Sequence, residues 1–181
     1  MSTVPNNNLP FSAFFLAPST LSRIHLILVA EKYDFWLLIE NHRQKHDLIK
    51  APIKKPLNLW LGVDTGLHRL GFHPSEISSV YKDLMSSKKM KRTSVLASHF
   101  ASADQPNNAA ITQQLKKFDD AFAKLEVPPN HHMERSIANS AAILSLPTSY
   151  LEWQRPGSVS YTHLRAHETK ANLVCRLLLE K

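Results

Sequence analysis

The chain has 181 residues, 43% of them hydrophobic, and a formal net charge of +7 at pH 7. That length allows one core of ordinary size, and no apolar run is long enough for a membrane span. The first residues lack the basic stretch and apolar run of a secretory signal, and the single cysteine, Cys175, excludes an internal disulfide, so a cytoplasmic protein is expected.

Strands and helices alternate along the chain. Residues 11–16 read as a strand end, and Pro18-Ser19-Thr20 opens a helix to about residue 32. Phe35-Trp36-Leu37-Leu38-Ile39 is a continuous apolar run of buried-strand length. A short helix follows over 42–49, then a strand over 57–63. Pro74-Ser75-Glu76 begins a helix reaching about residue 87. A strand is expected over 95–100, and an amphipathic helix over 111–125, where Ile111, Leu115, Phe118, Phe122 and Leu125 keep helical spacing. Pro128-Pro129 stops that helix, and short strands are expected over 136–140 and 151–155. Alternation of this kind implies parallel strands joined by right-handed crossovers. Periodicity alone leaves an open sheet and a closed barrel equally available.

The basic residues cluster in Lys54-Lys55 and Lys88-Lys89-Met90-Lys91-Arg92, which read as loops before strands. No aromatic residues alternate with them as a stacking platform for bases would require, so a solvated loop is expected and no nucleic-acid partner. His131-His132 are adjacent, a spacing that does not converge on a metal, and none is expected.

The densest signal follows the third predicted strand. Asp64-Thr65-Gly66-Leu67-His68-Arg69-Leu70-Gly71 trails the apolar run Leu57 to Val63, and Gly62, Gly66 and Gly71 are three of the four glycines in the chain. Glycine used so sparingly marks places where a side chain would obstruct backbone or ligand. Taken alone, the segment is either an anion-binding corner or a plain loop with a surface arginine.

The octet resembles a motif of the alanine racemases, enzymes that use pyridoxal 5'-phosphate. Three further segments resemble that family's later motifs, in the same order: Ser98-His99-Phe100-Ala101-Ser102-Ala103-Asp104, Ile137-Ala138-Asn139-Ser140-Ala141-Ala142, and Trp153-Gln154-Arg155-Pro156-Gly157. The resemblance implies an α/β fold, a partial TIM-type (β/α)8 barrel holding about strands 4 to 8. It divides the chain into a poorly ordered start (1–11), a partial barrel domain (12–157) and a non-family tail (158–181). Arg69, His99, Asn139, Ser140 and Arg155 all fall at or just past strand C-terminal ends, the face where such barrels keep their sites.

The resemblance also implies roles. Arg155 would meet the pyridine nitrogen, where a second cation disfavours ring protonation. His99 would help position that arginine, because imidazole can donate through one nitrogen and accept through the other. Asn139, Ser140, Gly157 and Ser158 would hold the phosphate, although Asn139-Ser140 is equally a helix cap by itself. Arg69 would sit near the substrate carboxylate as a permanent planar cation. Many members carry a lysine two residues before the motif aspartate, and its carbamate orients the arginine. Here Gly62 stands there, so either another group restrains Arg69 or its placement is looser.

The implied reaction is interconversion of L- and D-alanine for bacterial peptidoglycan, by a homodimer in the full-length relatives. The family's cofactor-linking lysine belongs to a first-strand motif, and its opposing tyrosine to a partner's C-terminal domain. Neither matches a segment of this chain, so the chain as written is expected to be inactive. Alternatives are a single-domain pyridoxal-phosphate barrel without racemase activity, or a non-functional fragment. Ser158 to Thr169 breaks the family pattern and resembles a spurious reading-frame ending; the alternative is a genuine C-terminal helix over 172–181, where Leu173, Val174, Leu177 and Leu178 keep helical spacing.

Overall fold

The structure, a computed structural model, describes residues 13–14, 23–105 and 108–157. Six strands form one parallel sheet in sequence order: β1 (Ala13–Phe14), β2 (Trp36–Ile39), β3 (Leu57–Gly62), β4 (Met90–Ala97), β5 (His132–Asn139) and β6 (Trp153–Arg155). Between them run α1 (Arg23–Tyr33), α2 (His42–Lys50), α3 (Ile77–Ser86), α4 (Ala109–Ala123) and α5 (Ser140–Ser145), the last followed by a 3₁₀ turn at Pro147–Ser149. Adjacent strands joined through helices and ordered as in the chain make a curled half of an α/β barrel. Among the described residues, no helix is long and apolar enough to cross a membrane.

Side chains alternate across each strand, and this alternation decides which residues meet. Leu37, Ile39, Leu57, Leu59, Leu61, Leu96 and Ile137 point toward the helices and join their buried residues, such as Ile27, Leu48, Tyr81 and Phe118, in the main core. The opposite parity, Leu38, Trp60, Val95 and Ala97, forms a second apolar cluster on the concave face, flanked by Trp36 and Trp153. The Trp153 ring lies 5.8 Å from Trp36 and 5.7 Å from Trp60, so β2, β3 and β6 meet across the hollow of the sheet. All three tryptophans of the chain thus fill that hollow.

Three expectations are corrected here. β4 begins at Met90 rather than at residue 95 and ends at Ala97, which places Met90, Lys91 and Arg92 in a strand instead of a loop. Pairing decides this: Met90 sits opposite Leu57 and Thr93 opposite His132. Ser87 and Lys88, the latter with φ of +58°, turn the chain out of α3, and Lys89 leads into the strand. Lys89 donates to the Ala51 and Ile53 carbonyls, and Lys91 pairs with Asp34 at 2.6 Å, so two of the cluster's cations already have partners. Likewise β5 starts at His132 rather than at residue 136, and Ser140 opens a helix that periodicity had not indicated. Residues 1–11 and 158–181, with Ser158 and Cys175 among them, lie outside the described residues.

Candidate functional site

Following the concave parity one step past each strand's last apolar residue leads to polar groups. β2 runs Trp36, Leu38, Glu40; β3 runs Trp60, Gly62; β4 runs Val95, Ala97, His99; β6 runs Trp153, Arg155. Glu40, Gly62, His99 and Arg155, with Arg69 from the loop after β3, line a cavity of about 230 Å³ at the strands' C-terminal rim. Leu38 and Ala97 of the concave apolar cluster form its apolar wall.

Arg155 is tied into that rim from one side. Its Nε donates to Ser136 Oγ at 3.1 Å, and a terminal nitrogen donates to the Ser98 carbonyl and, at 3.5 Å, to the Ile137 carbonyl. Burial pushes its pKa down to about 10, with the Glu40 charge working in the opposite direction. It remains a cation at neutral pH. His99 is pushed down to about 4 by burial and then by the Arg155 and Arg69 charges, so its ring is neutral at pH 7. The ring's Nε2 faces Asn139 Nδ2 at 3.4 Å. Asn139 is also the N-cap of α5, its Oδ1 accepting from Ala142 N at 3.1 Å. The helix-cap reading of that residue is the one seen here.

The octet after β3 is built around Asp64. Its carboxylate accepts from Gly66 N at 2.9 Å and His68 N at 3.0 Å, and lies 3.1 Å from His68 Nδ1. Burial alone would raise this carboxyl, but the two N–H groups and the His68 ring outweigh it and hold the pKa below the ordinary value. The loop closes where Asp64 N donates to Phe72 O and Phe72 N to Gly62 O, both at 2.9 Å. Arg69 itself is exposed and, among the described residues, makes no hydrogen bond. Ser140 and Gly157 meet each other, Gly157 N donating to Ser140 Oγ at 2.8 Å.

Sequence comparison decides the family. Residues 14–164 match the family described as alanine racemase, N-terminal domain. The chain belongs to that family. It is 39% identical to an alanine racemase of Pseudomonas entomophila (strain L48) over 136 residues, covering 75% of this chain and 36% of that protein. It is 38% identical to a catabolic alanine racemase of Pseudomonas putida over the same shares. Among solved structures, the biosynthetic alanine racemase from Pseudomonas aeruginosa superimposes with a TM-score of 0.67 at 34% identity, over 75% of this chain and 36% of that one. The chain thus spans 36% of the length of these racemases.

Of the residues indicated by the racemase-like motifs, Arg69, His99 and Arg155 line one cavity. Asn139 adjoins it through His99, while Ser140 and Gly157 pair with each other and do not line it. Among the described residues no group of acidic, histidine or cysteine side chains could hold a metal. Two residues escaped the sequence reading. Gln114 on α4 is 3% exposed; its amide nitrogen donates to His99 O at 3.2 Å and Thr65 Oγ1 at 3.4 Å, and its oxygen accepts from Ala101 N at 3.0 Å. It ties the octet to the loop carrying His99, with Thr65 and Ser98 hydroxyls 2.8 Å apart beside it. Glu40 is the other. Continuing the period-two pattern beyond Ile39 would have found it.

The buried neutral imidazole has a measurable consequence. In the unfolded chain His99 titrates near its ordinary value of about 6.5, so between that value and about 4 the unfolded state holds the extra proton. The stability from His99 is therefore full above the unfolded pKa and is lost as pH falls toward 4. Glu40, whose carboxyl is raised, acts with the opposite sign, so a variant comparison isolates the histidine. Going from pH 6.5 to 4.5, the parent chain is expected to lose on the order of 1–2 kcal/mol more than His99→Asn, after allowance for solvent screening. Denaturant midpoints of both at the two pH values check this.

Proposed function

We propose that the cavity is a pyridoxal 5'-phosphate site and that the chain is the barrel part of an enzyme interconverting L- and D-alanine. The observation that carries this reading is the donor set lining the cavity, two guanidiniums and a neutral imidazole; the Gly157 N–H and Ser140 hydroxyl, joined to each other, lie just past β6 and β5. A planar pyridine bearing a phosphate matches those donors, since each offers a hydrogen bond or positive charge and the apolar wall accepts a ring face.

In this reading Arg155 faces the pyridine nitrogen. Held by Ser98, Ser136 and Ile137, it cannot swing aside, and a fixed cation there opposes protonation of the ring. His99, neutral and next to Asn139, adds a dipole without a second buried charge. Ser140 and Gly157, with Ser158 beyond the described residues, hold the phosphate. Arg69, exposed at the mouth, receives the carboxylate of alanine. When bound, the cofactor supplies an electron sink for charge developing at the substrate's α-carbon. Among the described residues no lysine lines the cavity, so these 181 residues on their own are expected to bind the cofactor without racemising alanine.

The tryptophans under the cavity give a direct assay, because pyridoxal phosphate quenches their fluorescence by absorbing at the emission wavelength. Saturable quenching is expected, and Ser140→Ala should weaken it about tenfold, the worth of one charge-assisted hydrogen bond of about 1.4 kcal/mol. Pyridoxal without its phosphate should be indifferent to that substitution. Equal affinity for the two ligands, or no effect at Ser140, would remove the phosphate subsite from the reading.

A further inference from the structure

We propose that Glu40 is the positioning residue for the two arginines of the cavity, and that Gly62 is glycine because the Glu40 side chain occupies the space beside it.

Space comes first. Ile39 lies opposite Leu61 in the β2–β3 register, which carries Glu40 opposite Gly62. A Cβ added at Gly62 would come within 2.9 Å of Glu40 Cγ and 3.5 Å of Glu40 Cβ. Any side chain at residue 62 would therefore displace the glutamate. The backbone of Glu40 is fixed as well: its N–H donates to Gln44 Oε1 at 2.7 Å, while Gln44 N donates to the Asn41 side chain that caps α2. Gln44 is 6% exposed, so this anchor is itself held in place. The family resemblance puts a lysine carbamate near position 62; in this chain a carboxylate reaches the same place from the neighbouring strand.

Charge follows. The cavity is lined by two guanidiniums, Arg69 and Arg155, and two carboxylates, Glu40 and Asp64. Asp64 is engaged in its own turn by Gly66 and His68. His99 contributes no charge at neutral pH. That leaves Glu40 to balance the arginines, and both act on its carboxyl, lowering a pKa that burial raises. Arg69 needs such a restraint most, since it is exposed and lacks a hydrogen bond among the described residues. A carboxylate that shares the cavity with two cations attracts both and lessens the cost of holding Arg155 away from water.

This deepens the cofactor reading, but its test contains no cofactor, so failure to bind pyridoxal phosphate and failure of Glu40 to hold the arginines are separate results. In the full chain labelled with ¹⁵N-arginine and ¹³C-glutamate, the Nε–H resonances of Arg69 and Arg155 are followed from pH 4 to 8 alongside the Glu40 carboxyl carbon. Single arginine-to-lysine variants assign the peaks. Both arginines should shift with the midpoint of the Glu40 carboxyl, above the ordinary carboxylate range. Asp64 and His99, the other titratable groups lining the cavity, are distinguished by their own midpoints below the ordinary range for their types. Glu40→Gln should abolish the shared step at both arginines, Glu40→Asp should retain it weakened, and Gly62→Ala should move it by crowding Glu40. The measurement on the unmutated chain already decides the matter if a variant fails to fold: arginine resonances that ignore the Glu40 midpoint would overturn the proposal. So would a step that survives Glu40→Gln.

Discussion

Replacing Gly71 with alanine is expected to destabilise the chain by about 3 kcal/mol or more, a fall of about 10 °C in Tm for a domain of this size. Gly71 has φ of +115°, a region that L side chains rarely adopt. The new methyl would also lie 2.7 Å from Asp64 N and 2.8 Å from the Val63 carbonyl carbon. Those are backbone atoms, and they are held by the Asp64–Phe72 and Phe72–Gly62 hydrogen bonds that close the loop. Relief therefore requires opening the corner that carries Arg69. Gly157→Ala is the matched control: among the described residues its added Cβ would meet only Ser140 Oγ, at 3.8 Å, and stability should stay within about 0.5 kcal/mol of the parent. Thermal melts by circular dichroism compare the two, and equal Tm values would show that the Asp64 corner is not closed as described.

Much of this architecture was legible because strands and apolar runs coincide. Where a strand is wholly buried, as in Leu57–Gly62, an uninterrupted apolar segment marks it with nearly correct ends. Where a strand begins before the next one and is paired on one side only, it carries polar residues, and for that reason no continuous apolar run marks Met90–Arg92 or His132–Arg135. The glycine-rich octet was the right place to look, and the structure gives each glycine a physical cause: Glu40 beside Gly62, Gln114 beside Gly66, and backbone beside Gly71. The causes themselves lay in other elements. No local pattern around Gly62 names a glutamate separated from it by an entire helix.

Gln114 shows the opposite limitation. The helical spacing of Ile111, Leu115, Phe118, Phe122 and Leu125 is real, yet Leu115 and Phe122 are only partly buried, whereas Gln114 is almost completely so. A hydrophobicity pattern places a glutamine on the wet face by default. Here its amide satisfies groups of two loops that no strand or helix hydrogen-bonds, and that demand is visible only in three dimensions. The motifs at Arg69, His99 and Arg155 were found by resemblance, while the residues that hold the His99 loop and Arg155 required coordinates.

Arg155→Met is expected to have the other large effect, and it separates structure from charge. The substitution leaves the Ser98 and Ile137 carbonyls and the Ser136 hydroxyl without their guanidinium donor. Unsatisfied buried groups cost about 1–3 kcal/mol each, and partial relaxation makes about 3 kcal/mol in total the expected loss on denaturant unfolding. The charge acts on its neighbours independently. Without it the His99 ring loses a repulsion that helps push its pKa down to about 4, so its midpoint should rise toward the ordinary value of about 6.5. The Glu40 carboxyl loses an attractive partner and should rise further above its ordinary range. Arg155→Lys keeps the cation but not the planar fork, so it should leave most of the His99 depression in place while still losing stability. Imidazole titration by NMR, read beside denaturant midpoints for the two variants, measures both effects. A His99 midpoint that stays put in Arg155→Met would mean that burial and Arg69 set it, and that the Arg155 guanidinium acts at this rim only as a hydrogen-bonding clamp.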